Sequence, residues 1–171
     1  MHVGIWSKRK NLKLPTGEAI MLYKIITLVC SLLILLFLLF HDWIDAYPLN
    51  DLKRLNRHCS FKNKILMTLI NVPFFVIYLG ILLMYWSEPF SFHARFYLTL
   101  CNIVFCIGII FSWWLPYVFG WPKSQAQELG QMYNSTHTFL PRIGTNPTPD
   151  TLHILFYAVF IINMIATFLM F

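Results

Sequence analysis

The sequence predicts an all-α membrane protein, a four-helix transmembrane bundle with antiparallel neighbours and both termini on one side. Two observations carry this expectation. Of 171 residues, 58% are hydrophobic and only 12% charged, whereas a soluble domain carries about 25% charged residues. Four nearly unbroken apolar runs follow one another at residues 19–40, 65–86, 96–120 and 151–171. Each is close to the roughly 20 residues a helix needs to cross a bilayer. Backbone amides must be paired in hydrocarbon, so only helices or closed barrels span it. Barrel strands would alternate apolar and polar residues over about ten positions, and these runs do not alternate. The composition excludes a soluble enzyme, a disordered tail and a collagen-like rod.

The chain divides into a basic N-terminal segment, residues 1–18, and a four-span unit, residues 19–171. The first run is interrupted only by Lys24, whose long stem can carry its charge to the interface. A cleaved signal peptide would have a shorter apolar core of about 7–15 residues followed by small residues. This run is longer and ends in His41-Asp42-Trp43, so an uncleaved anchor is the preferred reading; Met21 is an alternative start. The second run contains Pro73, which is expected to kink its helix. The third carries Gly108 and Ser112, a small-xxx-small pair that would allow close helix approach. The fourth opens on Thr148-Pro149-Asp150-Thr151, where Asp150 or Thr148 would cap the helix and Pro149 suits the opening turn.

An even number of spans gathers the two long loops, residues 41–64 and 121–150, on one face (side A), with the short loop 87–95 and both termini on the other. Lys and Arg are split almost evenly between the faces, so the usual orienting bias is weak. The basic N-terminus leans towards cytoplasmic termini. Among the cysteines, Cys59 stands alone in a loop and the others sit in spans, so there is no disulfide framework. Within the spans, Asn71, Asn102 and Asn163 are expected to form helix–helix hydrogen bonds, worth about 0.6–2 kcal/mol each. At a rise of about 1.5 Å per residue, Asn102 and Asn163 fall at similar depth and are expected to face one another. No acidic or basic residue interrupts the last three runs, which argues against proton-driven transport.

Nearly all acid–base chemistry falls on side A. His41, Asp42, Asp45, His137, Arg142 and His153 form the candidate polar site, and no catalytic residue is assigned within it. One reading is structural, with Asp42 and Asp45 paired to arginines and Asp150 capping a helix. A second is a divalent metal on His41, Asp45, His137 and His153, since imidazole and carboxylate together suit Zn or Fe, although no HxxH or HExxH spacing is present. No other cofactor is expected. A third is an anionic lipid headgroup held by Arg54, Arg57, Lys62 and Lys64, joined by His58 and Arg142, because clustered cations at a membrane surface attract anionic lipid. The segment 51–64 reads as a short interfacial helix or a solvated linker. The net charge of +6 fits interfacial anchoring and does not point to nucleic acid. Asn134-Ser135-Thr136 matches a glycosylation sequon, relevant only in a eukaryotic lumen.

Several pieces together resemble small, uncharacterised four-span bacterial integral membrane proteins. They are His41-Asp42-Trp43, Asn50-Asp51, Trp113-Trp114-Leu115-Pro116-Tyr117, Thr136-His137-Thr138-Phe139-Leu140-Pro141 and Thr151-Leu152-His153. The resemblance spans roughly residues 20–171 and implies a bacterial cytoplasmic membrane; it implies no activity. The functional expectation is a small multi-pass protein acting through interaction or assembly, as a homo-oligomer or a subunit of a membrane complex. Sensing or resistance to a membrane-active agent would fit. The alternatives are an interface lipid- or metal-binding protein or enzyme using the side A residues, and an oligomeric pore.

Overall fold

The computed structural model describes residues 17–171. The cations Lys8, Arg9, Lys10 and Lys13, on which the orientation expectation rests, lie outside the described residues. The described chain is all-α, with no strand. Four helices are long and apolar enough to cross a membrane: Gly17–Phe40, Phe61–Met84, Phe92–Phe119 and Thr151–Leu169. The first is α1. A short α2 (Leu52–His58) precedes α3 (Phe61–Met84). The third span comprises α4 (Phe92–Ile109), a wide π-helical turn at Ile110–Trp114 and α5 (Leu115–Phe119). After α6 (Lys123–Tyr133), α7 (Thr151–Leu169) closes the chain.

Two of these helices begin four residues before their apolar runs, and caps explain why. Ser60 accepts the Asn63 N–H at 3.2 Å and Ser91 accepts the Ala94 N–H at 3.2 Å, so each helix gains its first turn from a hydroxyl outside the hydrocarbon run. At the end of α5, Gly120 takes a left-handed conformation (φ 63°). A Cβ there would meet Asn146 Oδ1 at 2.6 Å. Asn146 Nδ2 meanwhile donates to the Tyr117 carbonyl at 3.0 Å, which fixes how the long third loop leaves the helix.

The helices meet in two apolar clusters. One joins Ile34 of α1, Phe75 of α3, Trp113, and Phe156 and Phe160 of α7, and it takes in Leu55 of α2 and Leu129 and Tyr133 of α6. The other joins Tyr78 and Leu82 with Phe90, Ala94, Leu98 and Met170. Outside these clusters Leu32, Leu33, Leu36, Ile77, Val104 and Ile162 are exposed. Apolar surface of this extent would drive aggregation in water and is at home in lipid, and the chain is a multi-pass membrane protein.

Between the clusters runs a buried polar network. Asn163 Nδ2 donates to Asn102 Oδ1 at 3.2 Å and to Tyr78 Oη at 3.4 Å, and Ser31 Oγ donates to Asn163 Oδ1 at 2.8 Å. Thr167 Oγ1 bonds the Tyr78 hydroxyl and the Asn163 carbonyl. Four helices are thus tied at one level by groups that satisfy one another. Asn71 departs from the expectation for the three asparagines, because its Nδ2 donates to the Met67 carbonyl of its own helix.

Lys24 does not end in an interfacial solvent layer. Its Nζ donates to the carbonyls of Tyr85, Trp86 and Glu88 at 2.7, 2.9 and 3.1 Å and lies 4.9 Å from the Phe90 ring centroid. A cation there serves the unpaired carbonyls at the end of α3 and the negative end of its dipole. The start of α1 is thereby pinned to the α3–α4 turn. Gly108 likewise differs from its expected role: a Cβ there would meet nothing within 4 Å. No helix closes on it, and it borders a cavity instead.

Candidate functional site at the two-loop end

The two long loops are bonded to each other. The His137 N–H donates to the Pro48 carbonyl at 2.7 Å, and the Ser135 hydroxyl donates to Asp51 Oδ2 at 2.7 Å. Asp51 also caps α2 by accepting the Arg54 N–H at 2.9 Å. These two hydrogen bonds, the Arg54 amide foremost, hold the Asp51 carboxyl below its ordinary range. α6 then lies against α2, with Leu55 facing Leu129 and Tyr133 in the shared core.

Below this lid, His41 and His153 come together. His41 follows the last residue of α1, and its Nδ1 lies 3.1 Å from the Phe37 carbonyl. Since a carbonyl only accepts, Nδ1 carries a proton, and Nε2 lies 3.1 Å from Asp42 Oδ1, a contact that holds only with a proton between the two atoms. The imidazole stacks on Phe37 at 4.3 Å between ring centroids. His153 sits in the first turn of α7, where Asp150 Oδ1 accepts both its N–H at 2.8 Å and its Nδ1–H at 2.9 Å. One carboxylate therefore caps the helix and orients the ring through Nδ1. The His153 ring lies 5.7 Å from His41, 4.5 Å from Trp113 and 5.1 Å from Tyr133.

Burial lowers the His41 pKa to about 4; the Asp42 charge opposes the fall and His153 adds to it. The folded chain therefore binds fewer protons than the unfolded chain between about pH 4 and the ordinary imidazole value of 6.5. Stability from this group is complete above pH 6.5 and declines as pH falls towards 4. Detergent unfolding midpoints should drop over that window for the wild type and drop less for His41→Phe. Equal slopes in the two proteins would contradict a buried neutral His41. Burial, with the Asp42 and Asp150 carboxylates adding, also holds the Tyr133 phenol well above its ordinary range, so it stays an O–H. It has no hydrogen-bond partner among the described residues.

Two cavities adjoin at this point. One, of about 490 Å³, faces the loops and mixes polar side chains, among them Asp42, His58, Asn63, Gln125 and Glu128, with apolar ones such as Leu55 and Met132. The other, of about 390 Å³, is apolar and runs between the helices past Ile70, Phe74, Val104, Phe105, Gly108 and Phe156. His41, Asn71, Ser112, Trp113 and His153 border both. Tyr157 also borders the apolar cavity, and its buried hydroxyl has no partner among the described residues.

The candidate polar residues divide accordingly. His41, Asp42 and His153 converge. His137 does not: it is exposed, and its ring bonds Thr151 Oγ1 at 2.7 Å while its carbonyl accepts the Thr151 N–H at 2.9 Å. Asp45 accepts the Leu52 N–H at 3.3 Å, and Arg142 donates to Asn134 Oδ1 at 3.3 Å, each outside the cavities. Of the four proposed metal ligands, Asp45 and His137 thus lie away from His41 and His153, and no group of three His, Cys, Asp or Glu side chains suited to a metal occurs among the described residues. Lys64 requires a correction as a headgroup ligand. It is buried, with Nζ donating to the Asp42 carbonyl at 2.9 Å and to Asn56 Oδ1, and it lies 5.4 Å from the Trp43 ring. Arg54 and Arg57 line an outward cleft on α2 beside Lys53, and Lys62 is exposed.

Trp113, Tyr133 and Glu128 enter the site without having been singled out as site residues. The signal for α6 was available in the apolar spacing of Leu129, Met132 and Tyr133, which puts one face of a helix against the core. Comparison of the chain with known proteins finds no matching family, curated protein or solved structure.

Proposed function

We propose that this multi-pass protein binds a single-chain amphiphile at the membrane interface, with the chain in the apolar cavity and the polar head against His41, Asp42 and His153. The observation that carries this reading is the junction itself: a cavity with charged and polar groups in its lining and an almost wholly apolar one share one wall of imidazole, indole, hydroxyl and amide groups. Both volumes lie in the range of about 300–1,000 Å³ usual for small-molecule sites. Four helices long and apolar enough to cross a membrane support a cavity beside lipid. The bacterial cytoplasmic membrane, inferred from sequence resemblance, is the proposed location. A pore receives less support, because Asn102, Asn163, Tyr78 and Ser31 are bonded to one another rather than spaced along a path. Assembly alone would not call for a cavity.

A chain-terminal brominated dodecanol, added to the protein in phosphatidylcholine nanodiscs, tests the reading through tryptophan quenching. A saturable component is expected, weakened in Trp113→Phe, which removes the reporter in the shared wall. Gly108→Leu should abolish it, because a side chain there grows into the space the chain would use. Saturable quenching unchanged in Gly108→Leu would refute the reading.

A further inference from the structure

The charges around the polar cavity are sorted by sign. Asp42 and the exposed Glu128 line it, and among the described residues no Lys or Arg does. The nearest cation by sequence and contact, Lys64, is turned to the Asp42 carbonyl, Asn56 and the Trp43 face. Lys53, Arg54 and Arg57 line the cleft on α2, and Lys123 and Arg54 line another on α6. Among the described residues, the ion pairs of Asp42 and Asp150 are with histidine only, and Glu128 forms none. Among the described residues Asp42 pairs with no Lys or Arg side chain, and a cation entering the cavity would complete its surroundings.

The remaining groups in the wall point the same way. The His153 ring is held by Asp150 through Nδ1, and the Tyr133 oxygen, in a residue only 9% exposed, has no hydrogen-bond partner among the described residues. Trp113 and Tyr133 offer aromatic faces, which attract a desolvated cation. At Cys59 in the same wall, burial pushes the thiol up and the Asp42 carboxylate adds to it, while Lys64 opposes the rise and Glu128 adds less.

We infer that the head of the amphiphile is cationic: the cavity takes a long-chain amine, its ammonium group held between Asp42 and Glu128 and against the His153, Trp113 and Tyr133 surfaces, and it rejects a phosphate head. This rests on the amphiphile reading and adds the sign of the head to it. Phosphate would face two carboxylates with no Lys or Arg in the lining among the described residues, whereas an ammonium group finds carboxylates, the Tyr133 oxygen and aromatic faces together.

The test uses the full chain in phosphatidylcholine nanodiscs and three probes with the same brominated dodecyl chain: the primary ammonium, the alcohol and the monophosphate. The ammonium probe is expected to bind at least about tenfold tighter than the phosphate, a factor equivalent to about 1.4 kcal/mol. In the Asp42→Asn, Glu128→Gln protein that ratio should shrink to about twofold, with the alcohol nearly unaffected, since both substitutions keep shape and remove charge. Alcohol binding that survives the double substitution also certifies that the variant is folded. Phosphate binding equal to or tighter than ammonium overturns the inference and leaves the amphiphile reading intact. Saturable binding of none of the three overturns both. A preference for ammonium that persists undiminished in the double variant assigns the selectivity elsewhere and overturns the placement at Asp42 and Glu128.

Discussion

Asp150→Ala is expected to lower the unfolding free energy by about 2–4 kcal/mol, combining a lost N-cap of about 1 kcal/mol with the cost of a buried donor left unpaired. The carboxylate is 1% exposed and its Oδ1 serves two donors, the His153 N–H and the His153 Nδ1–H. Removing it frays the first turn of α7 and frees a ring packed among Phe37, Trp113 and Tyr133. Amphiphile binding should fall with it, because the imidazole loses its fixed tautomer. Asp150→Asn keeps an acceptor oxygen and is expected to cost about 1 kcal/mol or less, since the cap preference of Asn matches that of Asp. Unfolding in mixed detergent, followed by circular dichroism, ranks the three proteins. An Asp150→Ala protein as stable as the wild type would show that this carboxylate does not organise the start of α7.

Asn163→Leu should cost about 2 kcal/mol, on the basis of roughly 0.6–1.7 kcal/mol per interhelical hydrogen bond. Its side chain joins α1 through Ser31, α3 through Tyr78 and α4 through Asn102. Leucine would also leave Ser31 Oγ and Asn102 Oδ1 without these partners. The informative comparison is the double-mutant cycle with Asn102→Leu: the pair should lose less than the sum of the single losses, because each single change strands the partner amide. Strict additivity would mean that the two amides act independently and the network is not a unit.

The four spans are legible in the sequence because hydrocarbon imposes one demand on every residue of a helix, and an apolar run satisfies it. The helix starts are less legible, since Ser60 and Ser91 extend α3 and α4 beyond the runs through local hydrogen bonds. At the site, the residues nearest the spans can be placed from sequence: His41 follows α1 directly, and Asp150 and His153 share a turn. His137, Asp45 and Arg142 share a face with them but not a location, because loop residues are placed by backbone pairing. The His137 amide and carbonyl are committed to Pro48 and Thr151, which carries its ring away from the cavity. Lys64 shows the same limit. Its charge suggests a lipid ligand, and its burial depends on Asn56, Trp43 and the Asp42 carbonyl, which no spacing rule brings together. Glu128 becomes part of the site only once α6 lies over the ends of the long helices.

The π-helical turn at Ile110–Trp114 sets the relation between the two halves of the third span. A wide turn inserts one residue into the α-helical count, and at 3.6 residues per turn that is an angular offset of about 100°. α4 below it takes its phase from the Asn102–Tyr78 contact, and α5 above it takes its phase from Tyr117, whose hydroxyl donates to the Pro141 carbonyl. A uniform α-helix could not meet both demands. Ser112 and Trp113 lie in the seam where the mismatch is absorbed, so the shared wall of the cavities is also the joint between the buried scaffold and the loops.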